Sequence, residues 1–243
     1  MLSDFSSTPK RDRIIVALDC SADRARALGD QLTGHARWVK VGMTLFYACG
    51  PEIVAYFKER GFKVFLDLKL HDIPFQVKGA AASAARTGAD MLTMHASGGA
   101  AMLAAGREGA QETANETGRN QLITLGITVL TSMDEPTLRS VGVERSPRDQ
   151  VALLAGVAKE SGISGVVASP QEASLLRDIL GPQAYIVTPG VRPAGSSVDD
   201  QSRIATPAEA FDNGASHIVI GRPITQAPDP VAAFENIAQS VRS

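Results

Sequence analysis

Charged side chains stand at or just past the ends of short apolar runs in this sequence, where ionised groups are uncommon. Asp19 closes the first run and Lys40 the second; Asp67 and Lys69 close the third, Asp72 follows, and His95 ends the fourth. Taking so much charge out of water near a core is unfavourable unless the groups pair. An isolated Asp-x-Lys reads as a surface salt bridge, but this one has company. Asp67 and Lys69 are expected on one side of a strand because side chains alternate, with Lys40 reaching the same place from the adjacent strand. Ammonium groups interleaved with carboxylates keep one another charged, which leaves a lysine able to deliver a proton.

A second pattern suits an anion. Gly221-Arg222-Pro223 lies between an apolar run and a helix start, and Arg192 follows the run before it. Glycine admits a ligand close to backbone N–H groups, and a guanidinium offers planar, charge-assisted hydrogen bonds. Together they predict a phosphate site.

These residues need elements to bring them together. Apolar runs rich in β-branched residues recur at Arg13 to Leu18, Trp38 to Val41, Val64 to Leu68, Met91 to His95, Leu122 to Val129, Gly165 to Ala168, Tyr185 to Val187 and His217 to Ile220. Each is nearly continuous rather than alternating, as in strands buried on both faces of a parallel sheet. Helical segments are expected between them, at Ala22 to Leu32, Pro51 to Arg60, Gln76 to Thr87, Gly99 to Thr113, Arg148 to Ser161, Pro170 to Leu180, Pro207 to Asn213 and Pro230 to Val241. Pro170, Pro207 and Pro230 lie near helix starts, and Asn213-Gly214 where a helix should stop. Eight strand–helix units predict an α/β fold, a single-domain (β/α)8 TIM barrel over residues 11–243, with residues 1–10 a loose tail. In such a barrel, residues at the C-terminal strand ends converge on one mouth. The Gly190 to Arg203 stretch, rich in Gly, Ser and Asp, is expected to form a mobile loop there.

Bulk composition removes several classes. A formal charge of -2 gives no field drawing the chain to nucleic acid or an anionic membrane. No apolar stretch is long enough to span a bilayer, and the N-terminus lacks the features of a secretory signal. Cys20 and Cys49 have no metal-like spacing and suggest ordinary thiols in a reduced, cytoplasmic protein. Neither a GxGxxG after the first strand nor a P-loop is present, and no His-rich metal pattern is seen. His35 and His217 read as structural, and His71 and His95 as neighbours of the charged cluster.

Asp19, Lys40, the run Asp67-Leu68-Lys69-Leu70-His71-Asp72-Ile73-Pro74, Thr131-Ser132, Thr188-Pro189-Gly190-Val191-Arg192 and Ile220-Gly221-Arg222-Pro223 occur in that order from the first strand to the last. This ordered set resembles orotidine 5'-phosphate decarboxylase. The resemblance implies a cofactor-free lyase converting orotidine 5'-phosphate to UMP and CO2, the last step of de novo pyrimidine biosynthesis. By the same resemblance, Lys69 protonates C6, Asp67 lies beside the departing carboxylate, and Lys40, Asp67, Lys69 and Asp72 alternate in charge, Asp72 coming from the other subunit of a homodimer. It further implies that Asp19 and Lys40 bind ribose hydroxyls, Thr131 and Ser132 lie near the pyrimidine, and Arg192, Gln201, Gly221 and Arg222 hold the phosphate. Gln76 stands where the family usually has a threonine that contacts ribose across the dimer.

A magnesium-dependent sugar-phosphate decarboxylase or aldol-type lyase of the same superfamily shares Asp67, Lys69 and Asp72. It typically offers a carboxylate at the second strand end, where this sequence has Lys40, whose charge repels a metal. A catalytically silent phosphate-binding barrel has no evident need for so many costly charges.

Overall fold

A computed structural model of the chain describes Phe5, residues 7–193 and residues 205–241. Strands β1 (Ile14–Ala17), β2 (Trp38–Gly42), β3 (Lys63–Leu70), β4 (Met91–His95), β5 (Ile123–Ile127), β6 (Gly165–Val167), β7 (Tyr185–Thr188) and β8 (His217–Ile220) close into a barrel in chain order. Every neighbouring pair is parallel, and β1 pairs with β8 through Ile14–Ile218 and Ile15–Val219. The expected (β/α)8 TIM barrel is therefore the fold.

The outer layer contains α1 (Ala22–Leu32), α2 (Met43–Cys49), α3 (Glu52–Glu59), α4 (Pro74–Arg86), α5 (Gly99–Thr117), α6 (Glu135–Ser140), α7 (Pro147–Glu160), α8 (Ala173–Leu180), α9 (Pro207–Asp212), α10 (Arg222–Thr225) and α11 (Pro230–Ser240). The eight expected helical segments are all present. Short α2, α6 and α10 are additions, each lying after a strand on the mouth side. Proline opens α4, α7, α9 and α11, where a missing N–H leaves no bond unmade. Thr206 and Glu209 form a capping box at α9, so that helix has a defined start after β7.

Strand residues alternate between two apolar layers. Ile15, Ala17, Trp38, Phe65, Met91, Leu125, Tyr185, Val187 and Val219 fill the barrel interior, while Ile14, Val16, Val39, Val41, Val64, Leu66, Ile218 and Ile220 pack under the helices. Both sets are excluded from water, which is why the strands read as continuous apolar runs. The alternation also aims the site. Lys40 lies two residues beyond Trp38 and Asp67 two beyond Phe65, so both continue the inward-facing rows into the mouth.

Of the stretch 1–10 expected as a loose tail, residues 1–4 and 6 lie outside the described residues, while Phe5 and residues 7–10 are placed against the barrel. Phe5 is buried, edge-on to Tyr185 with ring centroids 5.2 Å apart, and Arg177 lies over its ring. A 3-10 turn at Lys10–Arg13 leads directly into β1. Below the apolar layers His217 is enclosed by Tyr185, stacked at 5.6 Å, and Trp38, edge-on at 5.5 Å. Burial, and then the nearby charges of Arg13, Lys63 and Arg37, push its pKa down to about 3. It is a neutral structural imidazole, in keeping with the sequence reading.

On one flank α4 and α5 approach closely. A Cβ at Gly109 would strike the Lys78 carbonyl oxygen, and one at Gly106 the Met94 sulfur. Glycine at these two positions lets α5 settle against α4 and β4, which fixes the backbone that follows Asp72.

Candidate active site

At the C-terminal end of the barrel, strands β1, β2 and β3 deliver a continuous chain of alternating charge. The Lys40 ammonium donates to Asp19 Oδ1 at 2.9 Å and lies 3.4 Å from Asp67 Oδ2. Lys69 Nζ donates to the same Oδ2 at 2.8 Å. Thr93, on β4, donates its hydroxyl proton to the other carboxylate oxygen, Asp67 Oδ1, at 3.0 Å. Asp67 is thus saturated by groups from three strands, as a carboxylate only 12% exposed must be.

The electrostatics follow from this pairing. Burial alone would raise the Asp67 pKa, but Lys40, Lys69 and the hydrogen bonds from Lys69 and Thr93 outweigh it and hold it below the usual carboxylate range. Burial likewise opposes the Lys40 charge, yet Asp67 and Asp19 overcome it and raise the Lys40 pKa. Both groups are fixed in their ionised forms.

Strand alternation is not what brings Lys69 to Asp67. Lys69 has φ +52°, the only positive φ outside glycine among the described residues. The β3–β4 ladder shifts register here: Leu66 pairs with Leu92 and Leu70 with Met94, so three β3 residues oppose one β4 residue. The bulge re-aims Lys69 at a cost of roughly 1–3 kcal/mol, a strain typical of sites where position matters more than stability.

A cavity of about 730 Å³ opens over this cluster. Asp19, Lys40, Asp67 and Lys69 line it from β1–β3, Thr131 from the segment after β5, and Arg192, Gly221 and Arg222 from the segments after β7 and β8. Since β3 and β7 stand four strands apart in the closed barrel, the lysine–carboxylate cluster faces Arg192 across the mouth. Phe65, Ile127, Val167 and Val219 form an apolar floor between these walls. Arg192 is only 7% exposed, and its backbone is tied to Ala205 by an N–H to carbonyl bond of 3.0 Å. Gly221 caps the first turn of α10 and places Arg222 at the helix start.

Not every expected residue is gathered here. Asp72 is exposed, outside the cavity lining, and its Oδ1 accepts the Ile73 N–H at 2.6 Å. Ser132 is exposed and also outside the lining, and Gln76 is exposed in the first turn of α4. Gln201 and most of the Gly190 to Arg203 stretch lie outside the described residues. Conversely, Thr93, Gly42 and the apolar floor escaped the sequence reading. A Cβ at Gly42 would sit 2.9 Å from Asp19 Oδ1 and 3.2 Å from Lys40 Nζ, so a side chain there would crowd the ion pair.

His95 is half-buried at the end of β4, with its ring 5.4 Å from that of exposed His71. Burial, then His71 and Lys69, lower its pKa, consistent with a neutral neighbour of the cluster. Cys20 lines the cavity, but burial raises its thiol pKa and leaves it a poor nucleophile.

A single cavity lined by a fixed lysine–carboxylate chain, an apolar floor and two guanidiniums, Arg192 opposite the chain and Arg222 after the strand next to β1, can accept a planar polar group joined to a phosphate. A protein from Moorella thermoacetica named orotidine 5'-phosphate decarboxylase is 52% identical, the match covering 95% of this chain and 92% of its own length. One of the same name from Parasynechococcus marenigrum is 49% identical, with 96% and 95% covered. The crystal structure of orotidine 5'-phosphate decarboxylase from Lactobacillus acidophilus superposes with a TM-score of 0.85 at 37% identity, covering 96% of this chain and all of that one. Residues 12–237 match the family described as Orotidine 5'-phosphate decarboxylase / HUMPS, and the chain belongs to that family.

Proposed function

We propose that the protein is an orotidine 5'-phosphate decarboxylase, forming UMP and CO2 without a cofactor in pyrimidine biosynthesis. The observation that carries this reading is the Asp19–Lys40–Asp67–Lys69 charge chain sharing one cavity with Arg192 and Arg222. The phosphate binds at Arg192, Gly221 and Arg222, the ribose hydroxyls meet Asp19 and Lys40, and the pyrimidine lies on the apolar floor near Thr131. C6 then faces Lys69. As the C6–carboxylate bond breaks, its electron pair remains on C6 and the Lys69 ammonium delivers a proton there. Asp67 lies beside the departing carboxylate, and the charges, set before reaction, stabilise the developing carbanion without solvent reorganisation. Binding energy from the remote phosphate helps align the reacting end.

The arrangement also bears on the magnesium-dependent alternative. Lys40 places an ammonium on both Asp19 and Asp67, where a divalent ion would need those oxygens, so the metal-assisted lyase is not favoured.

A homodimer with a shared site is part of the proposal. Asp72 is exposed beside Ile73 and Phe75, which are 64% and 81% exposed, and Tyr47 is 76% exposed. Large exposed apolar side chains mark association surfaces. In the dimer, Asp72 of the partner subunit completes the alternating charge set. The substrate is a small nucleotide, not nucleic acid. None of the described helices is long and apolar enough to cross a membrane, and two free thiols agree with a cytoplasmic location.

The test is the ultraviolet change on mixing purified protein with orotidine 5'-phosphate in a metal chelator. Conversion to UMP that disappears in Lys69→Ala is the expected result. A folded protein without conversion, or a Lys69→Ala protein with undiminished turnover, overturns the assignment.

A further inference from the structure

We infer that Thr93 is a positioning residue, whose single hydroxyl sets both the Asp67 carboxylate and the Lys69 backbone for the reaction. The inference rests on the function proposed above and goes beyond its named residues.

Thr93 is fully buried at the middle of β4. It is the one β4 residue opposite the three bulged residues of β3, between the Leu66–Leu92 and Leu70–Met94 pairs. A regular ladder would supply the Lys69 N–H with a main-chain carbonyl. Here that N–H donates to Thr93 Oγ1 at 2.9 Å. The hydroxyl's only proton then goes to Asp67 Oδ1 at 3.0 Å. Both roles of the hydroxyl are taken up by this site, with no competing partner among the described residues.

The two oxygens of Asp67 consequently divide their work. Oδ1 is anchored by Thr93, while Oδ2 receives Lys69 at 2.8 Å and Lys40 at 3.4 Å. Anchoring one oxygen fixes the plane of the carboxylate, and with it where both ammonium groups stand. The bond to the Lys69 N–H meanwhile supports the left-handed backbone that turns this lysine into the cavity. The charged and titratable groups around Asp67 are Lys40 on β2, Lys69 on β3, Asp19 beyond Lys40 and His95 at the end of β4. Thr93 is the neutral member of this shell and adds to the forces holding Asp67 ionised.

The test compares Thr93→Val, which keeps the shape and deletes the hydroxyl, with Thr93→Ser, which keeps the hydroxyl and deletes the methyl. In Thr93→Val, kcat is expected to fall about 10- to 100-fold, the scale of losing one charge-assisted hydrogen bond. KM should move less than about threefold, since the phosphate contacts are remote. The acid limb of the pH profile should move upward, because Asp67 loses a bond to its charged form. The Lys69 amide should exchange faster with solvent deuterium. Thr93→Ser should restore all of these. A Thr93→Val protein with parental kcat and acid limb, or one in which Thr93→Ser is the damaged variant, overturns the inference and leaves a packing role. Should Thr93→Val not fold, Thr93→Cys against Thr93→Ser poses the same question at nearly constant shape. If the parent protein fails to decarboxylate, the proposed function falls. Lys69 amide exchange and the Asp67 carboxyl titration still decide whether the clamp exists.

Discussion

Replacing Asp67 by asparagine removes the one charge that both lysines share while keeping the side chain's size. Lys40 and Lys69 each contact Asp67 Oδ2, at 3.4 and 2.8 Å, so their nitrogens stand no more than about 6 Å apart. At that separation and an effective dielectric of about 20, the exposed repulsion is on the order of 3 kcal/mol. Lys40 is buried and retains Asp19; Lys69, 26% exposed, pairs with Asp67. Breaking a buried pair typically costs about 3–5 kcal/mol, so Asp67→Asn is expected to lose about 3–4 kcal/mol near pH 7. The sign with pH follows from Lys40, whose pKa is raised in the parent, largely by Asp67 against the opposing effect of burial. In the parent, that stabilisation is complete below the unfolded lysine pKa and is lost as the pH rises through the raised folded value. In the variant Lys40 sheds its proton sooner, so the deficit narrows at alkaline pH. Urea unfolding followed by circular dichroism from pH 6 to pH 10 measures both effects. A deficit below about 1 kcal/mol, unchanged across that range, would refute the view of Asp67 as the hub of a tight charge chain.

Other consequences can be checked separately. Lys69→Gly should be more stable than Lys69→Ala by about 1 kcal/mol, the reverse of the usual order in strands, because φ +52° suits glycine; equal stabilities in thermal melts would argue against the bulge. His217, held near pKa 3 mainly by burial, contributes stability that is complete above its unfolded pKa near 6.5 and lost as the pH falls, up to about 4–5 kcal/mol. The slope of stability between pH 6 and pH 4 should therefore flatten in His217→Asn, and an unchanged slope counts against a neutral buried imidazole. Arg222→Ala should raise KM for orotidine 5'-phosphate by about 10- to 100-fold, a scale appropriate to a charge-assisted phosphate contact, while an unaltered KM would remove Arg222 from the phosphate site. Phe75→Glu should yield monomers by sedimentation and lose turnover with them, as expected if Asp72 acts from the partner subunit.

The barrel was legible because its strands are covered on both faces. Runs such as His217–Ile220 and Met91–His95 are apolar throughout, and the spans read from sequence match β8 and β4 to the residue. The short helices were not legible for the converse reason. α2 begins without a side-chain cap and exposes Tyr47, and α10 is a single turn, so neither has a periodic apolar face to read. At the site, charge at strand ends singled out Lys40, Asp67 and Lys69. Thr93 gave no such signal: within Met91–His95 a threonine reads as one more β-branched filler, and its importance arises from a register shift on another strand. That shift leaves no mark in the sequence Asp67-Leu68-Lys69, which looks like ordinary alternation. Thr131 and Ser132, adjacent and chemically alike, were indistinguishable until the turn after β5 placed one toward the cavity and the other toward solvent.

The pairing of β1 with β8, and the seating of Phe5 against Tyr185 and His217, tie the earliest part of the chain to some of the last to be synthesised. Segments 203 residues apart must meet before either is sheltered, so closure is a late event with a large loop to gather. Until β8 emerges from the ribosome, the open edge of β1 can pair with other chains, and Phe5 lacks its His217 contact. Nascent chains truncated before His217 should therefore be the aggregation-prone species, and chaperone dependence during synthesis should end only when the final strand arrives.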